Sequence, residues 1–424
     1  MTSRVRQAIS LSVAVILIAG GAIATERLRR TRPLRPADST VLFNQGLDPV
    51  VTGAPAEWTN ESCRECHQAE YRQWAASRHR VAGINDKFAA ECLDSESGRQ
   101  QYCLNCHAPR VPGGRLPMEE PPGLDADYKT PPSWLADGVD CLACHVRDGV
   151  VLATRVTPRG EARHPMRVEP RLAKPEFCAG CHQFAFKDQH LPDAFHGQLQ
   201  QASLEEFLEY RRLGGVESRC HDCHMPNGNH LMPGGYDDAM VRRAVGLDVE
   251  ASWSQPGRVA DVVIELTARR VGHRVPGGEE LRFLTLRTRL ADAGGRVVGR
   301  TVEAADGVDR DGLQSTIDGW LQVETLRRRM GRREHGRDYH AAAAADNRLR
   351  PGERRRFRYR IELDPPRPDR PVTLQVELWY HLMHDGKARL FEHAAHDVQR
   401  PIRSVSVKLD APRPVLPAKE SGTP

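Results

Sequence analysis

Cys63-Arg-Glu-Cys66-His67, Cys103-Leu-Asn-Cys106-His107, Cys141-Leu-Ala-Cys144-His145, Cys178-Ala-Gly-Cys181-His182 and Cys220-His-Asp-Cys223-His224 repeat one pattern, Cys-x-x-Cys-His. Two thiols at this spacing can add to the two vinyl groups of one haem, and the adjacent histidine then reaches the iron from the same side. One copy would not decide the matter, because a redox dithiol or half a zinc site also begins Cys-x-x-Cys. Five copies, each followed by histidine, point to haem rather than to a zinc or disulfide scaffold. The expected cofactor is therefore five haem c. Cys63, Cys66, Cys103, Cys106, Cys141, Cys144, Cys178, Cys181, Cys220 and Cys223 would attach it, and His67, His107, His145, His182 and His224 would be the proximal iron ligands.

The chain has 424 residues, enough for two or three domains, and only 6% are aromatic. Five haems would supply apolar mass that the side chains lack, so the haem region is expected to be unfolded or molten without them. Ten of the 11 cysteines lie in the motifs. Cys92 is left over, either as a small buried side chain or as a redox or intermolecular thiol. The formal charge is +5, but haem propionates would bring it to about zero in the oxidised protein and about −5 in the reduced one. Local arginine clusters therefore say more about partners than the total does.

Residues 1–30 have a basic start (Arg4, Arg6), an apolar run from Ile9 to Ala24, and small residues at Ala22-Ile-Ala24. This is the layout of a secretory signal peptide, and a retained N-terminal membrane anchor is equally compatible with it. Either places the rest of the chain in the periplasm or on the extracytoplasmic face of a membrane. Residues 31–60 read as a linker rich in Pro, Thr and Gly. Residues 61–240 form the haem domain, with first cysteines 37 to 42 residues apart, which leaves room for short helices and loops. One helix is expected over Leu204–Leu213, with Ser203 and Glu206 as a capping box and Gly214 as its stop. Another should follow the first motif, with His67, Tyr71 and Trp74 on one face.

From 245 to 410 the period changes to two. Val372, Leu374, Val376, Leu378 and Tyr380 alternate with other residues, as do Phe357, Tyr359, Ile361 and Leu363, and then Val405, Val407 and Leu409. With Arg258–Thr267, Leu281–Leu290 and Arg296–Val302, these make six or seven strands, read as an antiparallel β-sandwich. The fold class is thus a mostly α and irregular multihaem domain followed by an all-β C-terminal domain. Residues 411–424 form a Pro-rich tail with a disordered composition.

Each iron also has a far side. A second histidine there gives a closed, low-potential centre, a methionine raises the potential, and an empty position admits substrate. The candidate distal ligands are His79, His164, His190, His230 and His273, with His196 an alternative to His190. Met118, Met166, Met225 and Met232 are nearby in sequence. His221 lies inside the fifth attachment loop and is not expected to ligate. His381, His384, His393 and His396 flank an expected Asp385-Gly386 hairpin turn and read as an exposed hairpin end.

Several local sequences resemble those of a known family. Trp74-x-x-Ser77-x-His79, Gly138-Val-Asp-Cys141-Leu-Ala-Cys144-His145, Cys220-His-Asp-Cys223-His224-Met225-Pro226 with His230, and Gly272-His-Arg-Val-Pro-Gly-Gly are similar to segments of certain extracytoplasmic multihaem c-type cytochromes. These are the cytochromes grouped with hydroxylamine oxidoreductase and the tetrahaem cytochrome of ammonia oxidisers. The resemblance covers about residues 60–300 and implies fold and cofactor. It carries over no catalytic residue, because the chain has neither the Cys-x-x-Cys-Lys motif of pentahaem nitrite reductases nor an assignable cross-linking tyrosine.

The expected role is electron transfer between extracytoplasmic or membrane redox partners through five haems. The alternative is an oxidoreductase acting on nitrite, hydroxylamine or sulfite at one open haem. A redox-protein donor and acceptor are expected, with attachment to the inner membrane as a further option and no nucleic acid. The Arg-rich stretches Arg327–Arg333 and Arg354–Arg358 could attract an acidic partner, or could simply be solvated.

Overall fold

Short helices at each Cys-x-x-Cys-His sequence and long alternating strands after Val245 divide the chain, as the change of period requires. The structure is a computed structural model. It describes residues 52–85, 88, 103–110, 133–185, 199–214, 219–278, 281–304, 314–315, 320–329, 333–334, 338–339, 345–366, 370–383 and 398–411. Residues 1–30, most of the linker, Cys92, Met118, His190, His196, the Asp385-Gly386 turn with His384, His393 and His396, and residues 412–424 lie outside these residues. Among the described residues no helix is long and apolar enough to cross a membrane. The chain forms two units. The first comprises Met1–Pro233, Gly278–Glu280 and Arg327–Arg348, and the second comprises Gly234–Gly277, Leu281–Leu326 and Leu349–Pro424.

In the first unit, helix α1 (Asn60–Arg64) enters the first motif behind a capping box. Thr59 Oγ1 accepts from Ser62 N at 3.2 Å, and Ser62 Oγ accepts from Thr59 N at 2.8 Å. Helix α2 (Gln68–Ala75) begins directly after His67. The second motif is helical over 103–107. Helices α3 (Ser133–Ala136) and α4 (Cys141–His145) follow. A small sheet has the order β1 (Val146–Arg147), β2 (Val150–Ala153) and β3 (Met166–Val168), with α5 (Pro158–Glu161) between the last two. Helix α6 (Pro175–His182) carries the fourth motif and leads into β4 (Gln183–Ala185), which pairs antiparallel with β5 (Leu199–Ala202). Helices α7 (Ser203–Arg212) and α8 (Cys220–His224) complete the motif series. Helices this short have marginal stability on their own and depend on what they pack against.

The helix expected over 204–213 is present as α7, and Gly214 ends it at φ +86°. Its capping box is not. Ser203 is the first helical residue, Ala202 holds the cap position, and no side chain caps the helix. Glu206 is buried and bonded to the Arg348 guanidinium at 2.5 Å. A buried cation holds that carboxylate more strongly than a neutral cap N–H would.

The second unit opens with α9 (Asp238–Ala244), where Asp237 accepts from Met240 N at 2.6 Å. One sheet has the order β6 (Val245–Gln255), β7 (Val259–Ala268), β15 (Arg354–Leu363) and β9 (Gly299–Ala304). The other runs β10 (Gln314–Ser315), β11 (Leu321–Arg329), β8 (Phe283–Asp292), β16 (Val372–His381) and β17 (Gln399–Leu409). The chain crosses into the first unit at Arg327. There β12 (Arg333–Glu334) pairs with β13 (Asp338–Tyr339), and β14 (Ala345–Asp346) returns against the end of β11. The described pairs within the two large sheets are antiparallel. The expected alternation holds on β15, where Phe357, Tyr359, Ile361 and Leu363 are buried, and on β16, where Val372, Leu374, Val376, Leu378 and Tyr380 are buried. Both sheets contribute to one apolar core. The sequence reading missed β6 and β11.

His381 belongs to that interior and not to an exposed hairpin end. It is 3% exposed, its Nε2 lies 2.8 Å from Thr285 Oγ1, and its ring stacks on Phe283 at 4.1 Å. Position 381 is the tenth residue of β16, one step past the alternation, and its partner ring makes the pocket for it.

Candidate functional site

The attachment helices are tied to one another by side chains that flank the motifs. Asp140 caps α4 by accepting from Ala143 N at 2.7 Å, and it also accepts from Arg110 Nε at 2.5 Å, just after the second motif. Asn60, buried in α1, accepts from Cys141 N at 3.1 Å. Trp74 donates its indole N–H to Val139 O at 2.8 Å, and Val139 N donates to His79 O at 3.0 Å. Gly138 is required where these segments meet. Its φ is +57°, and a Cβ there would lie 2.4 Å from His79 O. Gln73 accepts from His230 N at 2.9 Å, which joins the downstream side of the fifth motif to α2.

None of the ten motif cysteines is paired in a disulfide. Side chains of different motifs come close together: Cys63 to Cys141, Cys106 to Cys181, and Cys178 to Cys220. Burial, with the nearby Cys181 charge, pushes the Cys144 thiol up to about 12. The first and third motifs therefore meet, and the fourth meets both the second and the fifth.

Three of the motif histidines present Nδ1 to a backbone carbonyl. His107 Nδ1 lies 2.9 Å from Ala82 O, His145 Nδ1 lies 3.1 Å from Leu152 O, and His224 Nδ1 lies 2.7 Å from Pro233 O. A carbonyl facing Nδ1 fixes the proton there and turns Nε2 toward a metal, the arrangement that orients histidine ligands generally. His182 Nδ1 instead faces the Gln201 side chain at 3.1 Å.

Two candidate distal histidines come to lie near motif histidines. The ring centres of His79 and His182 are 6.1 Å apart, and those of His145 and His230 are also 6.1 Å apart. With a metal–imidazole bond of about 2 Å, two imidazoles on opposite sides of one metal hold their ring centres about 6 Å apart. His79 is half-buried, and desolvation, with the His107 and His224 charges nearby, holds it down to about 4. It is therefore neutral near pH 7, as a ligand must be. Its Nδ1 lies 2.6 Å from Met232 Sδ. The Nδ1 atoms of His164 and His230 are buried without a hydrogen-bond partner. Such atoms are costly unless something bound later satisfies them. His164 sits edge-on to Trp58 at 6.3 Å. His221 also has a buried Nδ1 without a hydrogen-bond partner, within α8. His273 lies in the second unit, with Nδ1 2.9 Å from Arg274 O.

Several arginines of the Arg-rich stretches are engaged within the chain. Arg354 and Arg356 reach Glu265 at 3.5 and 2.7 Å, Arg355 reaches Glu353 at 2.6 Å, and Arg360 reaches Asp261 at 3.4 Å. These are mostly neighbours along β15 and cross-strand partners on β7. Arg328 is buried and donates to Leu199 O and to Gln200 O, the latter at 3.1 Å. Sequence reasoning missed Asn60, Gln201 and Arg328. Of the flanking groups, Trp74 and His230 were singled out from the sequence, and the cap role of Asp140 was not.

The family described as Cytochrome c554 and c-prime matches residues 62–146, which hold the first three motifs. A penta-heme cytochrome c552 from Thermochromatium tepidum is similar in structure, with a TM-score of 0.58 and 21% identity over 83% of this chain and 99% of that chain. A glycosyl hydrolase family 2 member from Bacteroides cellulosilyticus DSM 14838 matches over 39% of this chain and 14% of its own, at 11% identity and a TM-score of 0.18, too low to carry an argument. No curated protein matches. The motifs, the orientation of their histidines and these likenesses together support a multihaem c-type cytochrome, with a cytochrome-like first unit and an all-β second unit.

Proposed function

We propose that the chain carries five haem c groups and moves electrons among them, between an extracytoplasmic or membrane donor and a protein acceptor, outside the cytoplasm. The observation that carries this reading is the fivefold Cys-x-x-Cys-His repeat, whose first and third motifs lie close together, as do the fourth with the second and the fifth. Haem iron supplies the one-electron chemistry. The chain sets the spacing of the haems by joining their attachment points, and it sets their order: first to third motif, and second and fifth motifs to the fourth. His79 opposite His182 and His230 opposite His145 would close two irons against substrate. His164, His273 and one of His190 and His196 remain our candidates for the others. An acidic partner would have to dock on arginines other than those engaged with Glu265, Glu353, Asp261 and the β5 carbonyls.

A second reading is oxidation or reduction of nitrite, hydroxylamine or sulfite at one open iron. Low-temperature EPR of the ferric protein, with haem quantified on the same sample, separates the two. Five haems with only low-spin signals support the conduit. A high-spin signal that moves on adding one of those compounds replaces the conduit with the enzyme, and fewer than five haems defeats both.

A further inference from the structure

The motif histidines with described Nδ1 contacts are not all held alike. His107, His145 and His224 face backbone carbonyls, but His182 faces the side-chain amide of Gln201. The same amide nitrogen lies 3.1 Å from His182 Nδ1 and 3.1 Å from Ser203 Oγ. An imidazole bound to iron through Nε2 carries its proton on Nδ1, so the group opposite must accept. The two ends of a glutamine amide are told apart only by their hydrogen bonds. Turning the Gln201 amide puts its oxygen opposite both the His182 N–H and the Ser203 hydroxyl, and each of those can donate to it.

Gln201 is firmly placed. It stands across from Phe184 in the β4–β5 ladder, beside the Gln183–Ala202 pair. Gln183 is buried and accepts from Glu205 N at 2.7 Å, which fixes the start of α7. Arg328, from a segment 128 residues away, binds the Leu199 and Gln200 carbonyls immediately before Gln201. From the same excursion Arg348 binds Glu206 on α7 at 2.5 Å.

We infer that Gln201 is the positioning residue that sets the tautomer of His182 and the reduction potential of the fourth haem, and that Arg328 holds Gln201 in place for it. A stronger acceptor at Nδ1 makes the imidazole more electron-donating and stabilises ferric iron; loss of the acceptor does the reverse. Backbone carbonyls offer no such adjustment by side-chain substitution, so among the motif histidines with described Nδ1 contacts His182 is the one whose haem can be tuned at this atom. The inference rests on iron binding by His182, as the proposed function does.

The test uses full-length holoprotein. Redox titration followed by visible and EPR spectra should show one midpoint moving down in Gln201→Glu and up in Gln201→Leu. Each shift should be about tenfold in the oxidised-to-reduced ratio, or about 59 mV for one electron. The other midpoints should stay in place, and Arg328→Leu should move the same centre by less. Unmoved midpoints in both Gln201 variants, or shifts of the same sign in both, would overturn the inference while leaving the haem reading intact. Should Gln201→Glu fail to accumulate, Gln201→Leu alone decides by the direction of its shift. Peptide mass mapping of the Cys178–His182 segment without attached haem would overturn both readings.

Discussion

In the second unit thirty buried side chains close into one apolar cluster spread over both sheets, whereas the separate cluster described in the first unit contains Phe88, Leu104, Ala108 and Leu135. The β unit therefore has the means to fold on its own side chains, by burial at roughly 25 cal/mol per Å² of apolar surface. The first unit has helices of four to ten residues, joined by single hydrogen bonds such as Asn60 to Cys141 and Arg110 to Asp140. The contrast teaches that a chain can place its apolar mass either in residues or in a cofactor. A region that uses the cofactor needs its side chains to place attachment points, not to fill space.

The largest expected effect follows from removing the cofactor. Chain produced without haem attachment should lose amide protection across α1 to α8 and keep it in β7, β8, β15 and β16, as read by hydrogen exchange. Equal protection of both units without haem would erase the distinction drawn here. Next comes Leu286→Ala, at a side chain that is 0% exposed in the β core. It should cost that unit about 2–5 kcal/mol and leave the haem spectra unchanged. Calorimetry with parallel Soret spectra would show this, and a spectral change at one haem would argue against independent support. The smallest effect should come from Asp140→Ala, which removes the cap of α4 and the Arg110 contact. A loss of about 0.5–2 kcal/mol is expected in the haem unit of the holoprotein. A loss as large as that from Leu286→Ala would mean that side-chain contacts, not attached haem, carry the unit.

The Arg-rich stretches show where linear reading fails. Seen as sequence, Arg354–Arg358 is a run of like charge. In the sheet, the β15–β7 register sets Arg356 directly across from Glu265, and Arg360 across from Asp261. The period-two pattern revealed the strand but not which strand would lie beside it. Arg328 is a sharper case, since its partners are backbone carbonyls of β5 and no residue type announces them.

The attachment motifs, the helix after the first one, the stop at Gly214 and the alternating strands β15 and β16 were legible because each depends on residues close in sequence. Covalent spacing on one turn of helix, positive φ at glycine and side-chain alternation are local properties, fixed before any tertiary contact forms. The approach of His79 to His182 and of His230 to His145, the closeness of cysteines in different motifs, and the hold of Arg328 on the strand bearing Gln201 came only with the tertiary structure. Each joins residues 42 to 129 positions apart. Sequence separation does not encode such distances; the path of the chain between the residues does.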